Sequence, residues 1–361
     1  MAMRRLQASL PGRSIGPTRN APPREEAAMP NLTDGNRSAA VRATRAIIFI
    51  GLAIGLGGLQ STFAQEAGQK TFNSPAQAGD ALAAAVAKHD QPAMLAILGA
   101  SAQDLVSSGD PVADKESESQ FATEYHVAHR FVATGEGRVF IYVGAENWPA
   151  PIPLQKSGAQ WYFDVPYGRQ EASYRRIGTN ELNVIEVCNQ IAAAEKEYFD
   201  SLHDGDSVHQ YAQKFRSSEG KQDGLYWKVS APEQPESPLG PMLAEAAREG
   251  YRHHGPASKN PRPFHGYLYR LLTRQGANAA GGAKDYVVDG KMTGGFALVA
   301  YPVAYRTSGV MTFMVNQDGQ LLEKDLGQDT EKIASEMTEY NPDETWDLAE
   351  PDQGTKQAAA Q

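Results

Sequence analysis

The sequence predicts an α+β protein with antiparallel sheets, because helical and strand-like segments follow each other in blocks along the chain. One block of helix signals followed by strand-like runs covers residues 70–170, and a second covers residues 179–328. A short apolar segment flanked by arginines precedes both blocks. These observations predict two modules, namely helices plus an antiparallel sheet, then one long helix packed on an antiparallel β-meander. An acidic, partly disordered tail is predicted over residues 329–361.

Residues 42–64 have the layout of a secretory signal peptide. Two arginines precede the apolar run 46–59, and the segment ends in small residues. The run is shorter than the roughly 20 residues of a membrane span and contains several glycines, which favours a cleaved signal over an uncleaved anchor. We predict that residues 1–64 form a leader and signal peptide, and that translation starts at Met1 or Met29.

The charge balance argues against a nucleic-acid partner. The chain has a formal net charge of −9 at pH 7, and its leader is rich in arginine. An acidic chain without a basic stripe repels phosphate backbones and anionic lipid headgroups. The only cysteine is Cys188, which leaves no intrachain disulfide and no cysteine for a lipid anchor at the cleavage point. We expect a soluble exported protein of the periplasm or extracellular space, with no nucleic-acid partner and no stable membrane anchor after signal cleavage.

The N-terminal module, predicted over residues 65–178, opens with helices. Ser74 precedes Pro75 and Gln77 completes a capping box, which marks the start of the first helix. Asp90 is the predicted cap of a second, shorter helix. The apolar period then changes to that of strands, with runs at residues 139–144, 152–154 and 161–165. This order resembles that of nuclear transport factor 2-like proteins, and the resemblance implies a cone-like sheet with a pocket at its open end.

The C-terminal module, predicted over residues 179–328, opens with the best helix signal in the chain. Thr179 or Asn180 is the predicted cap, and an apolar stripe over residues 182–202 includes Cys188. The position of this cysteine on the stripe favours a packed thiol over a nucleophile. A short helix and five strand-like runs follow, at residues 241–248, 266–272, 285–288, 295–302, 309–316 and 320–326.

Long phrases in both modules resemble a single bacterial family. They include FNSPAQAGDALAAAV from Phe72, RRIGTNELNVIEVCNQIAAAEKEYF from Arg175 and GGFALVAYPVAYRTSGVMTFMVNQDGQ from Gly294. These phrases are similar to the bacterial domain-of-unknown-function family 2950, and the similarity covers nearly all of residues 70–328. Members of that family are exported proteins with no established activity. The resemblance therefore implies export and assigns no catalytic residue to this chain.

The C-terminal module is also similar, more weakly, to the globular heads of type IV pilin-like proteins. A helix ending in an aromatic residue, GYLYRL at residues 266–271, AYP ending at Pro302 and SGVMTFMVNQDG from Ser308 carry this similarity. The helix lies in mid-chain and lacks a long apolar stalk. The similarity implies a pilin-like head fold and does not imply filament assembly.

Candidate catalytic and metal-binding residues lack the spacing that their chemistry needs, so we predict no metal and no cofactor. His126 and His129, with Glu124 nearby, would offer ligands from one helix face, but the pattern is not H-E-x-x-H and no third ligand is marked. Ser108 and Ser308 lie outside a G-x-S-x-G elbow. A Ser-His-Asp site stays open, because such triads are defined by geometry rather than by sequence order.

Four aromatic residues are the candidate ligand or interaction residues, namely Trp148, Trp161, Tyr267 and Tyr301. Aromatic side chains at strand positions serve either the core or a ligand groove. Trp148 lies in an N-W-P-A-P-I-P loop. If the N-terminal module is a cone, we expect Trp148 at the rim of its pocket.

Together these patterns predict an exported, non-enzymatic binding or envelope-interaction protein, whose partner is an envelope protein or a small ligand. The alternative is a small-ligand-binding protein or a hydrolase that uses a pocket in the N-terminal module. A deep pocket with an ionisable pair would favour the alternative. A filled module with an exposed aromatic patch would favour interaction with a protein.

Overall fold

The computed structural model describes residues 65–229, 233–251 and 262–349. Helices and antiparallel sheets make up the regular structure of this part of the chain, which confirms the predicted α+β class. The predicted signal peptide lies outside the described residues.

Four α-helices open the described chain, and side chains cap three of them. The helices are α1 (Pro75–Ala87), α2 (Gln91–Leu98), α3 (Gln103–Val106) and α4 (Pro111–Val127). The Ser74 side chain accepts a hydrogen bond from the Gln77 N–H, as the capping-box pattern predicts. Asp90 and Asp110 cap α2 and α4 in the same way, each with a proline in the first turn that follows.

The first sheet packs against α1, α2 and α4. Its strands are β1 (His129–Ala133), β2 (Arg138–Val143), β3 (Trp148–Pro149), β4 (Leu154–Ser157) and β5 (Gln160–Phe163). The order is β1-β2-β4-β5, with β3 paired to β2. β2 and β5 match predicted strands, and β4 begins at the last residue of the predicted run 152–154, whereas β1 and β3 do not correspond to any predicted run. The helices and this sheet share one buried apolar core, which includes Phe72, Val86, Ile141, Leu154 and Phe163.

The longest helix, α5 (Val165–Phe199), begins well before Thr179 or Asn180, so the predicted cap is wrong. Asp164 caps α5 by accepting a hydrogen bond from the Tyr167 N–H at 3.3 Å. The sequence hides this cap, because the aromatic run at residues 161–165 predicts a strand that includes Asp164. The predicted module boundary therefore falls inside α5, which contacts both α3 and strands of a second sheet.

The second part of the described chain begins with α6 (Gly240–Arg248), close to its predicted bounds. The strands that follow are β6 (Tyr267–Leu272), β7 (Arg274–Gln275), β8 (Lys284–Asp285), β9 (Val287–Val288), β10 (Lys291–Met292), β11 (Ala297–Pro302), β12 (Met311–Asn316) and β13 (Leu321–Asp325). A final strand, β14 (Asp347–Leu348), completes an antiparallel sheet with the order β14-β13-β12-β11-β6. β7–β8 and β9–β10 are small separate hairpins. The Asp289-Gly290 pair joins β9 to β10 with both residues at positive φ, as that turn signal predicts.

Regular structure continues into the predicted tail. Helix α7 (Thr330–Glu336) packs against β11, and its Ala334 is fully buried. Arg270 on β6 donates hydrogen bonds to three backbone carbonyls in and after this helix, at 2.6–3.1 Å. Residues 330–349 therefore contribute to the second sheet and its surroundings, and residues 350–361 lie outside the described part.

A buried carboxylate joins α4 to the segment before β6. Asp110 is only 1% exposed. Its Oδ1 accepts hydrogen bonds from the N–H groups of Val112 and Ala113, which caps α4. Its Oδ2 accepts hydrogen bonds from the Tyr251 hydroxyl at 3.1 Å and from the Gly266 N–H at 2.9 Å. One side chain therefore satisfies donors from two distant parts of the chain.

Gly266→Ala is expected to lower the free energy of unfolding by about 2 kcal/mol, measured by urea denaturation. Gly266 has φ +76°, and an added Cβ would lie 2.5 Å from Asn180 Nδ2 and 3.1 Å from Ser308 Cβ. Gly282→Ala is the matched control, because Gly282 has φ +75° and open space around it. The control should show backbone strain alone, a loss of about 1 kcal/mol. Equal losses in the two variants would contradict a close approach at Gly266.

Candidate functional site

A cavity of about 430 Å³ lies among α1, α2, α4, the first sheet and the first half of α5. This volume is within the range of about 300–1,000 Å³ that is typical of small-ligand pockets. Most of its wall is apolar. The apolar wall residues include Leu82, Val86, Met94, Leu98, Phe121, Ile141, Ile152 and Phe163.

Charged side chains from two helices form the polar part of the cavity wall. Asp114 and Glu118 come from α4, where a spacing of four residues puts them on one face. Arg175 and Arg176 come from α5. The cavity therefore combines an apolar interior with carboxylates and guanidinium groups, and this combination suits a ligand that is itself part apolar and part polar.

Arg176 is held in place by backbone oxygens. Its Nη1 donates to the Asp104 carbonyl at 2.7 Å, and its Nη2 donates to the Leu105 carbonyl at 2.5 Å. Burial lowers the pKa of Arg176, while Asp114 and Asp104 act in the opposite direction. A guanidinium stays charged in proteins even with a lowered pKa. Among the described residues, no carboxylate forms an ion pair with Arg176.

Asp114 is held by the loop before α4. Its two carboxylate oxygens accept hydrogen bonds from the Ser108 N–H at 3.2 and 3.0 Å. Burial raises the pKa of Asp114, and the neighbouring Asp110 adds to this effect, while Ser108 and Arg176 oppose it. The neutral form of Asp114 is therefore more accessible than that of an exposed aspartate.

The other two charged wall residues already have charged or ionisable partners. Glu118 lies 2.5 Å from the Nδ1 atom of His89. Arg175 donates from Nε to Glu171 at 2.7 Å and from Nη1 to the Pro149 carbonyl at 2.7 Å. Asp114 and Arg176 are thus the two wall charges that a bound ligand would meet without such a close partner.

The four aromatic candidates do not form one site. Trp148 is 60% exposed on β3 and does not line the cavity, although the residues 150–152 that follow it do. Trp161 is half-buried on β5. Tyr267 is fully buried in one core cluster and Tyr301 is 5% exposed in another, so neither presents a surface to a ligand.

The histidine pair is divided between two elements. Helix α4 ends at Val127, and His129 is the first residue of β1. The one-helix arrangement of His126 and His129 is therefore wrong. The His129 ring stacks on Tyr125 and its Nδ1 lies 2.9 Å from the Tyr125 carbonyl oxygen. Within the described ranges, no group of three or more His, Cys, Asp and Glu residues is placed to hold a metal ion.

The nucleophile candidates are buried. Cys188 is fully buried and burial raises the pKa of its thiol, which confirms the predicted packed thiol. Ser308 is fully buried, and its Oγ accepts a hydrogen bond from the Ala304 N–H and donates one to the Ala304 carbonyl. Ser108, 2% exposed, lies on the cavity wall, where its Oγ accepts a hydrogen bond from the Asp110 N–H.

The fold and the cavity define an α+β protein with an apolar pocket that has a charged section in its wall. The chain belongs to the DUF2950 family, since the model of that family, described as a protein of unknown function, matches residues 69–349. The matched range extends past the second module as predicted from the sequence and includes α7 and β14. No curated protein and no solved structure matches the chain. None of the helices in the described part is long and apolar enough to cross a membrane.

Proposed function

We propose that this protein is a non-enzymatic binding protein that holds a small amphipathic ligand in the cavity between α4, α5 and the first sheet. The cavity itself supports the proposal, because about 430 Å³ of largely apolar space with a short polar section is typical of small-molecule sites. Its wall comes from five or more elements, so the site belongs to the folded core rather than to one loop.

We also propose that the protein acts after export, in the periplasm or outside the cell. The signal-peptide pattern of residues 42–64 supports this location. Interaction with an envelope protein is the second candidate function, and the exposed aromatic residues Trp148, Tyr167 and Tyr174 favour it. The weaker similarity of the second module to pilin-like heads also supports that candidate.

Ala172→Trp is expected to weaken binding of the neutral apolar fluorophore N-phenyl-1-naphthylamine by about tenfold, a loss of about 1.4 kcal/mol. Ala172 lies on α5, is half-buried and forms part of the cavity wall, so an indole there would fill space that a ligand needs. Binding is measured by the fluorescence increase on titration, and unfolding in urea checks that the variant is folded.

Ala244→Trp is the matched control, because Ala244 lies on α6, is exposed and does not line the cavity. It should bind the fluorophore as the wild type does. Wild-type affinity in Ala172→Trp would contradict the proposed site. Steady hydrolysis of a fatty-acyl ester by the wild type, lost in Ala172→Trp, would favour the hydrolase alternative in the same cavity.

A further inference from the structure

We propose that the ligand of this cavity is an amphipathic carboxylic acid, with its carboxylate on Arg176 and its hydrocarbon body against the apolar wall. This inference rests on the proposed function, since it assigns the chemical class of a ligand to the same cavity.

Arg176 is placed to receive an anion. The two backbone carbonyls of Asp104 and Leu105 each engage one Nη atom and fix the guanidinium at the cavity wall. A guanidinium has five N–H groups, so three remain to bind other acceptors. Arginine binds carboxylates with two parallel hydrogen bonds, and its fixed, planar geometry suits such recognition.

The charges of the wall favour an anion over a cation. Glu118 is engaged by His89, and Arg175 is engaged by Glu171. Of the two other wall charges, Asp114 already accepts hydrogen bonds from the Ser108 N–H, whereas Arg176 keeps N–H groups beyond the two that the Asp104 and Leu105 carbonyls engage. When a ligand excludes water from the cavity, the guanidinium needs an acceptor of opposite charge, because a buried charge without one is costly. A ligand carboxylate supplies that acceptor.

Asp114 does not supply the acceptor of opposite charge that the Arg176 guanidinium needs. No ion pair joins Asp114 to Arg176 within 4.0 Å in the described structure, and the hydrogen-bond donors to Asp114 come from Ser108. The two side chains interact through space, as their opposite effects on each other's pKa values indicate. Asp114 therefore leaves the remaining N–H groups of Arg176 for a ligand.

The apolar wall suits a hydrocarbon body. Met94, Phe121, Ile141 and Phe163 supply side chains from α2, α4, β2 and β5. Each methylene group of a ligand that leaves water for this wall adds to the binding affinity. A saturated or lightly branched acid fits these walls better than a polar metabolite, because the apolar part of the wall offers few partners for additional polar groups.

The test compares three probes with one chain length on the full-length protein: decanoate, decan-1-ol and decylammonium. Isothermal titration calorimetry at neutral pH should give decanoate an affinity at least about tenfold above that of decan-1-ol, since its carboxylate accepts charge-assisted hydrogen bonds that the alcohol cannot match. Decylammonium should bind more weakly than decan-1-ol. This comparison needs no variant, so it holds even if a substitution at Arg176 disturbs folding.

Arg176→Gln should lower the affinity for decanoate by about tenfold and leave that for decan-1-ol unchanged, which also shows that the cavity is intact. Arg248→Gln is the control, because Arg248 is exposed at the end of α6 and lies outside the cavity wall. An undiminished preference for decanoate in Arg176→Gln would overturn the role of Arg176.

The remaining outcomes separate the two proposals. Equal affinities of the wild type for decanoate and decan-1-ol, or tighter binding of decylammonium, would overturn the anion assignment and leave the proposed function standing. Absence of binding for all three probes would overturn both. Binding to phosphatidylglycerol vesicles without binding to decanoate would assign the site to a lipid headgroup and overturn the assignment to a free acid.

Discussion

Asp110→Ala is expected to lower the free energy of unfolding by about 3–5 kcal/mol. The carboxylate is 1% exposed and accepts hydrogen bonds from four donors. Removing it deprives α4 of its cap, a loss of about 1 kcal/mol in most helices. It also leaves the buried Tyr251 hydroxyl and the Gly266 N–H without an acceptor, and each buried unsatisfied donor costs about 1–3 kcal/mol.

The Tyr251 hydroxyl is a permanent donor in this arrangement. Burial raises the pKa of Tyr251, and the nearby Asp110 charge adds to the effect, so the hydroxyl keeps its proton over the whole physiological range. Tyr251 therefore keeps the proton that it donates to Asp110. Tyr251→Phe removes this donor and also the acceptor of the His265 N–H at 3.3 Å, and it is expected to cost about 1–2 kcal/mol.

Asp90→Ala is the control for the Asp110 experiment. Asp90 caps α2 through the Ala93 N–H, and its side chain is exposed. It should cost about 1 kcal/mol, the ordinary effect of a lost cap. Urea denaturation of the wild type and of the Asp110→Ala, Tyr251→Phe and Asp90→Ala variants, followed by circular dichroism, gives the differences in the free energy of unfolding. If Asp110→Ala cost no more than Asp90→Ala, the links to Tyr251 and Gly266 would contribute nothing to stability.

Features that depend on a few neighbouring residues were predictable from the sequence. The Ser74 cap and the Asp289-Gly290 hairpin are confirmed, because each requires only local dihedral preferences and nearby N–H groups. Burial of Cys188 is confirmed because the helical period places it on the packed side of α5. Leu182 and Leu202 of the same predicted stripe are 53% and 52% exposed, since the packed surface of α5 is narrower and shorter than the stripe.

The cavity was not predictable, because its wall comes from segments that are far apart in the chain. Asp114 on α4 and Arg176 on α5 interact only in the folded chain, where both line the cavity. The predicted helix start at Thr179 also placed Arg176 before the helix rather than on it. Asp164 followed by a valine and a proline is the signal that could have corrected this start, and it is ambiguous because the aromatic strand β5 ends only one residue earlier, at Phe163.

A buried acid on α5 is expected to make the free energy of unfolding depend strongly on pH. Glu195 is fully buried, its Oε2 accepts a hydrogen bond from the Ala212 N–H at 2.8 Å, and its Oε1 has no hydrogen-bond partner among the described residues. Burial raises the pKa of Glu195 well above its ordinary value, and the single backbone hydrogen bond opposes this only in part. The folded protein therefore holds a proton that the unfolded chain releases near pH 4.3, roughly the value of a free glutamate.

The proton on Glu195 determines whether stability rises or falls with pH. Because the folded state binds more protons than the unfolded state, the stability contributed by Glu195 is complete below the unfolded pKa and is lost as pH rises toward the folded pKa. In that interval the free energy of unfolding falls by up to about 1.4 kcal/mol per pH unit.

Glu195→Gln should remove this dependence, because glutamine has the shape of the protonated acid and cannot ionise. It should be close to the wild type in stability at about pH 4 and should become progressively more stable than the wild type as pH rises, by up to about 1.4 kcal/mol per pH unit until the folded pKa of Glu195 is reached. Glu197→Gln on the same helix is the control, since Glu197 is exposed and should leave the pH profile unchanged. A stability difference between Glu195→Gln and the wild type that stays constant from acid to alkaline pH would mean that Glu195 does not hold its proton in the folded state. Urea denaturation across this pH range decides between the two outcomes.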